Sequence, residues 1–311
     1  MRRFRAGILP FAAIEPPLSP MHFFARLLRE VTLMTRFEVT RRTRFKVVPF
    51  VLLSLAITSS SDAVAATKYV LKQDPQAVAV AQAAFAAMGG AQAVATYQDS
   101  IASGTVTIYM GGTPVSYPIT MKSKGLRETR SELQLPKGSN VRIVNQGQGA
   151  ILRPDGSVKP LYSNNTFYEH VNHVPILSVL AEYASGNVNL LYNGVAQVQS
   201  QVEDVIEVDF IPDLSPVSGP IFASMSRTLF FVNQSTRLVD KIQSTPFYEG
   251  DDKNSCTEET YLSDYRSING LLVPFRQTLF VDSALNTDLT FTSVNLNVGL
   301  ADSEFALPQA R

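Results

Sequence analysis

The chain has 311 residues, with 27 Lys+Arg against 27 Asp+Glu, 45% hydrophobic residues and one cysteine, which excludes an intramolecular disulfide. The charge balance is uneven along the chain: residues 1–65 hold 10 of the basic and 4 of the acidic residues, so 66–311 carry 17 basic against 23 acidic. A mildly acidic body without a Lys/Arg cluster excludes nucleic acid and an anionic membrane face as natural partners, and it is long enough to be one large β domain.

The first element is a secretory signal peptide over 34–65. The basic stretch "RFEVTRRTRFK" precedes "VVPFVLLSLAIT", an apolar run too short for a comfortable membrane anchor, and "SSSDAVAA" supplies the small residues of a cleavage site after Ala65 or Ala66. A core helix would show polar residues at helical period, and this run has none. Arg41-Arg42 resembles a twin-arginine signal with its phenylalanine one position late, so ordinary secretion is at least as good a reading. Met34, or else Met21, is the expected start, and 1–33 is an upstream extension, mis-assigned or disordered. No cysteine stands directly after the apolar run, so the expectation is a soluble periplasmic or secreted product over 66–311 with no lipid anchor. Cys256, within "DDKNSCTEET", has an acidic setting that disfavours a thiolate.

The body opens on a helix. Asp74-Pro75 gives an N-cap and a proline in the first turn, "QAVAVAQAAFAAM" follows, Gly89-Gly90 stops it, and "AQAVATY" makes a second short helix. From Ile101 short β-branched runs take over: "IASGTVTIYM", "VSYPITMKSK", "RETRSELQL", "NVRIVNQ" and "GAILRP". The stretch "NTFYEHVNHVPILSVLAEYAS" interrupts them, with Pro175 dividing a loop from a helix that ends near Gly186. Strands resume as "NVNLLYNG", "VIEVDFI", "SRTLFFVNQ", "TRLVDKIQST", "TYLSDYRSI", "LLVPFRQTLFVD" and "DLTFTSVNL". This layout predicts a mainly β (α+β) fold, a single strongly curved antiparallel sheet forming an open half-barrel, with the N-terminal helix and the inserted helix covering its concave face.

Pro274 sits where the strand after Asn269-Gly270 should be pairing. Lacking an N–H, it belongs at an edge, at a strand start or at a bulge, and a bulge would help the sheet bend. Beyond it Val273, Phe275, Leu279 and Val281 share one face, and Arg276, Thr278 and Asp282 the other, with Phe280 breaking the rule. A fold-back at about Leu285 would set Leu289 opposite Val281 and Phe291 opposite Leu279. Phe275, Leu279, Val281, Leu289 and Phe291, with Phe230, are therefore the candidate apolar cavity wall.

Three stretches together, "AFAAMGGAQAVATYQDSIASGTV", "TLFFVNQSTRLVDKIQ" and "SDYRSINGLLVPFRQTLF…FTSVNLNVGLADSEFALP", resemble the LolA/LolB-like superfamily of periplasmic lipoprotein and lipid carriers over about the whole body. The resemblance implies a half-barrel holding acyl chains between sheet and helical lid, with a lipid or the acyl chain of a lipoprotein as ligand and envelope transport proteins as partners. It also implies a lid latch. The family's Arg-Pro is replaced here by Lys124-Gly125, leaving Lys124, Arg127 and Arg130 as candidates.

Competing chemistry is thin. In 66–311 the histidines are His170 and His173, three apart in "EHVNH", whereas the zinc-protease pattern needs a spacing of four and an intervening glutamate. No G-x-S-x-G occurs, and the carboxylate pairs Glu203-Asp204, Asp251-Asp252 and Glu258-Glu259 read as solvated surface. No cofactor or metal is expected. The function expected is a non-enzymatic carrier; the alternatives are an exported hydrolytic or metal-dependent enzyme centred on His170 and His173, and an envelope protein-binding scaffold.

Overall fold

The structure is a computed structural model that describes residues 68–308 except 110–112, 126, 170–172, 176–186, 249–250 and 252. The expected signal peptide over 34–65, the extension 1–33, His170 and the helix expected after Pro175 lie outside the described residues.

Thirteen strands build one antiparallel sheet: β1 (Asp99–Ile108), β2 (Val115–Lys124), β3 (Glu128–Leu135), β4 (Gly138–Asn145), β5 (Gln148–Leu152), β6 (Val158–Pro160), β7 (Val188–Val198), β8 (Gln201–Phe210), β9 (Thr228–Asn233), β10 (Val239–Ser244), β11 (Glu258–Ile268), β12 (Leu271–Val281) and β13 (Ala284–Leu296). The spatial order is β6-β5-β4-β3-β2-β1-β13-β12-β11-β10-β9-β8-β7, so two meanders meet where β1 pairs with β13, and β6 and β7 remain as edges. Four described helices accompany them: α1 (Pro75–Ala87), α2 (Gly90–Ala95), α3 (Ser163–Phe167) and α4 (Ser218–Ser226). The fold is mainly β, an open half-barrel.

One contact shows how far the sheet curls. Arg127, just before β3, and Phe210, the last residue of β8, are eight strand steps apart, about 38 Å in a flat sheet at ~4.8 Å per step. The Arg127 guanidinium carbon lies 4.3 Å from the centroid of the Phe210 ring.

The concave face is filled largely by α1. Asp74 caps it by accepting from the Gln76 N–H at 2.8 Å, and Ala77, Val80, Ala81, Ala84 and Met88 are buried. They join Leu190, Ile206, Val208, Phe230, Phe275, Leu289 and Phe291 in one core cluster. The Met88 carbonyl accepts from Leu272 N–H, and a Cβ on Gly89, whose φ is 133°, would lie 2.6 Å from the Gly270 carbonyl, so only glycine lets the helix end so close to the β11–β12 turn. A smaller cluster of Val198, Val205 and Phe231 lies on the opposite face.

Pro274 is neither at an edge nor at a strand start: it is buried in a central strand, opposite Tyr265. Asn269 and Gly270 form a two-residue turn with φ of 50° and 86°, and counting outward from it makes Tyr265/Pro274 a non-hydrogen-bonded pair. The missing N–H therefore falls on the β13 side. The β12–β13 ladder starts only at Arg276/Thr290, and β13 carries an extra residue, Thr292, where its register to β1 slips beside Gly104. The bulge expected near the proline is in the neighbouring strand. It also shifts Val294 and Leu296 onto the face that carries Leu289 and Phe291, and all four enter the core.

The register expected beyond Pro274 is corrected. The chain turns at Asp282-Ser283, with φ of 47° and 66°, so Val281 pairs with Ala284 rather than Leu289, and Leu279 with Thr287 rather than Phe291. Leu289 lies opposite Gln277, and Phe291 meets Phe275 edge to face at 6.5 Å. Asp and Ser accept left-handed backbone less readily than Asn-Gly, so the sequence does not mark this turn and it falls earlier than Leu285. The out-of-pattern Phe280 packs edge to face on Tyr261 at 5.5 Å.

Helix α4 is absent from the sequence reading because "LSPVSGPIFASMS" is full of breakers. Its Pro220 falls in the first turn, where no intrahelical N–H is lost, and Asp213 and Ser215 build the turn before it: Asp213 accepts from Ser215 N–H and Ser218 Oγ, and Ser215 Oγ accepts from Val217 N–H. The three-residue edge strand β6 was likewise not expected.

Candidate functional site

A cavity of about 350 Å³ lies where the two arms of the curled sheet approach one another. One wall is Val144 from β4 with Thr129 from β3, and the other is Phe210 and Pro212 at the end of β8 with Phe222 and Met225 from α4. The inserted segment crosses it with Thr166, Phe167, Glu169 and His173, and Phe167 and Phe222 meet edge to face at 5.5 Å. The surfaces facing this space are mostly apolar and aromatic, with few charges.

The inserted segment is held by polar contacts set into that wall. Glu169, 5% exposed, accepts from Thr129 Oγ1 at 3.2 Å through one oxygen and from Arg142 Nε at 2.9 Å through the other. Asn165 donates to the Phe247 carbonyl and Thr166 to the Gly147 carbonyl, each at 2.8 Å. Ser123 Oγ accepts from the Val174 N–H at 3.0 Å, while the Val174 carbonyl accepts from Ser100 and Tyr97 hydroxyls. Burial pushes the Tyr97 hydroxyl far above its ordinary pKa and Tyr168 up to about 12, so both stay neutral, and Tyr97 donates to the Val174 carbonyl. Glu258 is also raised, by burial and then, after the opposing Arg142, by the Glu169 charge.

Of the residues expected to wall a cavity, Phe230, Phe275, Leu289 and Phe291 are buried in the core cluster that also takes in α1. Leu279 and Val281, on the same side of β12 by alternation, are half-buried. None of the six lines the cavity described here. The three latch candidates separate. Lys124 pairs with Asp302 and donates to the Leu300 carbonyl at 2.8 Å, and Arg130 donates to the Glu304 carbonyl at 3.0 Å, so both fasten the C-terminal 3-10 turn Asp302–Phe305. Arg127 alone of the three faces the cavity.

His173 is buried and meets Tyr97 edge to face at 6.2 Å. Among the described residues no group of three or more His, Cys, Asp and Glu is placed to hold a metal ion, and no helix is long and apolar enough to cross a membrane. Sequence reasoning missed Val144, Phe210, Phe222 and Met225. Val144 lies one residue before the end of β4 and Phe210 ends β8, but the strands that border the insertion are β6 and β7, so neither residue nor α4 carries a local signal.

No family profile and no curated protein matches the chain. Solved structures do. A domain named as an outer membrane lipoprotein-sorting protein, from Vibrio parahaemolyticus, is similar over 73% of this chain and 95% of its own, at 13% identity and a TM-score of 0.50. A DUF1329 family protein from Desulfovibrio piger covers 74% and 97% at 14% identity and a TM-score of 0.48. A LolA superfamily protein from Nitrosomonas europaea covers 74% and 97% at 15% identity and a TM-score of 0.47. The chain shares the fold of the lipoprotein-sorting protein domain from Vibrio parahaemolyticus.

Proposed function

We propose that this protein is a non-enzymatic carrier or binding protein for a lipid or for the acyl chain of a lipoprotein, exported by the signal over 34–65 and working in the periplasm or outside the cell. The observation that carries this reading is the cavity between the curled arms, walled by Val144, Phe167, Phe210, Phe222 and Met225. An apolar wall binds through burial, at about 0.8 kcal/mol per methylene. About ten buried methylenes correspond to micromolar affinity before ordering costs are subtracted, with little discrimination between chains.

The test is twofold. Native mass spectrometry of protein purified from its own cell envelope should show co-purified lipid. Phe222→Glu, on the partly exposed helix α4, should keep the parent circular dichroism spectrum and lose displacement of a fluorescent fatty acid by at least tenfold. A folded Phe222→Glu variant that binds as well as the parent would remove the cavity from consideration. N-terminal sequencing of the envelope protein should begin at Ala66 or Thr67.

A further inference from the structure

We propose that the ligand is an anionic amphiphile, a lipid headed by a carboxylate or phosphate, whose headgroup is held by Arg127 while its chain occupies the apolar cavity; this rests on the carrier reading above. Arg127 and Gln146 line the apolar cavity and also an adjoining depression of about 440 Å³ at the strand ends, whose remaining lining is Gln98, Lys124, Gly125 and Glu128. The two spaces differ in chemistry, aromatic and aliphatic on one side, amide and charge on the other. A molecule with an apolar tail and a polar head changes character at the same boundary.

Arg127 is suited to that boundary. Its guanidinium carbon lies 4.3 Å from the centroid of the Phe210 ring, a cation–π contact that fixes a planar fork matched to a carboxylate or phosphate. Near the same boundary Glu169 gives its oxygens to Thr129 and Arg142, and Lys124 reaches Asp302 and the Leu300 carbonyl. Glu128, in the same depression, opposes an incoming anion, which gives the assignment a second handle of opposite sign.

The experiment compares a long-chain fatty acid with the fatty alcohol of equal length, displacing a neutral fluorescent probe at mildly alkaline pH. The native chain should prefer the acid by about tenfold, the size expected of one charge-assisted hydrogen-bonded pair. Arg127→Gln should erase the preference, read as the ratio of acid to alcohol affinity within the same variant, and Glu128→Gln should widen it. Equal affinities in the native chain, or a preference that survives Arg127→Gln, would overturn the headgroup assignment and leave the carrier reading standing. Binding of neither ligand overturns both. In the native chain alone, added salt should weaken the acid and spare the alcohol, and a salt-independent preference counts against the proposal even where the variants fail to fold. Acetate and inorganic phosphate should not compete; competition by either would mark a free-anion site instead.

Discussion

Arg142 on β4 and Glu169 in the inserted segment form an ion pair of 2.9 Å, with the glutamate side chain 6% exposed. The pair joins a crossing segment to the sheet beneath it, and Glu258 lies close enough for the Glu169 charge to raise its pKa. Removing the arginine alone strands a buried carboxylate. Arg142→Leu should therefore lower stability by about 3 kcal/mol, and adding Glu169→Leu should restore most of the loss. Urea unfolding of the single and double variants measures this, and additive losses would show that the two residues do not act as a pair.

Glu203 on β8, expected from the sequence on solvated surface, is instead fully buried, with Asn233 Nδ2 bridging its carboxyl, at 3.3 Å, and that of Asp240, at 2.9 Å. Burial, and then the neighbouring Asp240 charge, pushes its pKa from 4.5 up to about 7. Between those values the folded state binds the proton that the unfolded state has released, so this group's contribution favours folding below about 4.5 and is lost as pH rises towards 7. Glu203→Gln should flatten that slope and gain on the order of 1 kcal/mol near pH 8. Thermal melts across this range decide the matter: a variant that keeps the parent's slope excludes Glu203 as its source.

Gly104 faces the bulge at Thr292 so closely that an added Cβ would lie 2.3 Å from the Thr290 carbonyl and 2.9 Å from the Phe291 Cα. Both neighbours are backbone and cannot step aside cheaply. Gly104→Ala should cost about 2 kcal/mol or more, read as a drop in the denaturant midpoint, and an unchanged midpoint would mean that the two strands part more easily than their register suggests.

Phe291 and Phe222 separate folding from binding. Phe291, 1% exposed against Phe275, should cost about 3–5 kcal/mol as Phe291→Ala while the folded fraction keeps its affinity for a fluorescent fatty acid. The reverse pattern, an intact fold with binding lost, would return the ligand to the face beneath α1.

Strand identity and the pairing of consecutive strands were largely legible, because turns such as Asn269-Gly270 and two-residue alternation announce themselves locally, whereas the pairing of β1 with β13 was not. Even the bulge could have been read from the spacing of Leu289, Phe291, Val294 and Leu296, which keeps one face only if a residue is skipped at Thr292. The cavity was not legible. Alternation tells which side of a strand is apolar, and it marks Phe230 and Phe275 as well as Phe210, but it does not tell which part of that side a helix will cover. That depends on where α1 lies against β7 and β8, a tertiary choice. The fate of Lys124, Arg127 and Arg130 was hidden for the same reason, since two of them answer to a turn more than 170 residues away in sequence.

The pairing of β1 with β13 sets the order in which this protein can become itself. The middle of the sheet is closed by strands far apart in sequence, with Ser100 of β1 waiting for Leu296 of β13. Until then each meander has a naked border at its strongest point, an edge that would otherwise recruit another chain. High contact order of this kind makes folding late and slow rather than vectorial. The seam between the two meanders is sealed only when β13 meets β1, so half of the sheet cannot complete its ladder without the other.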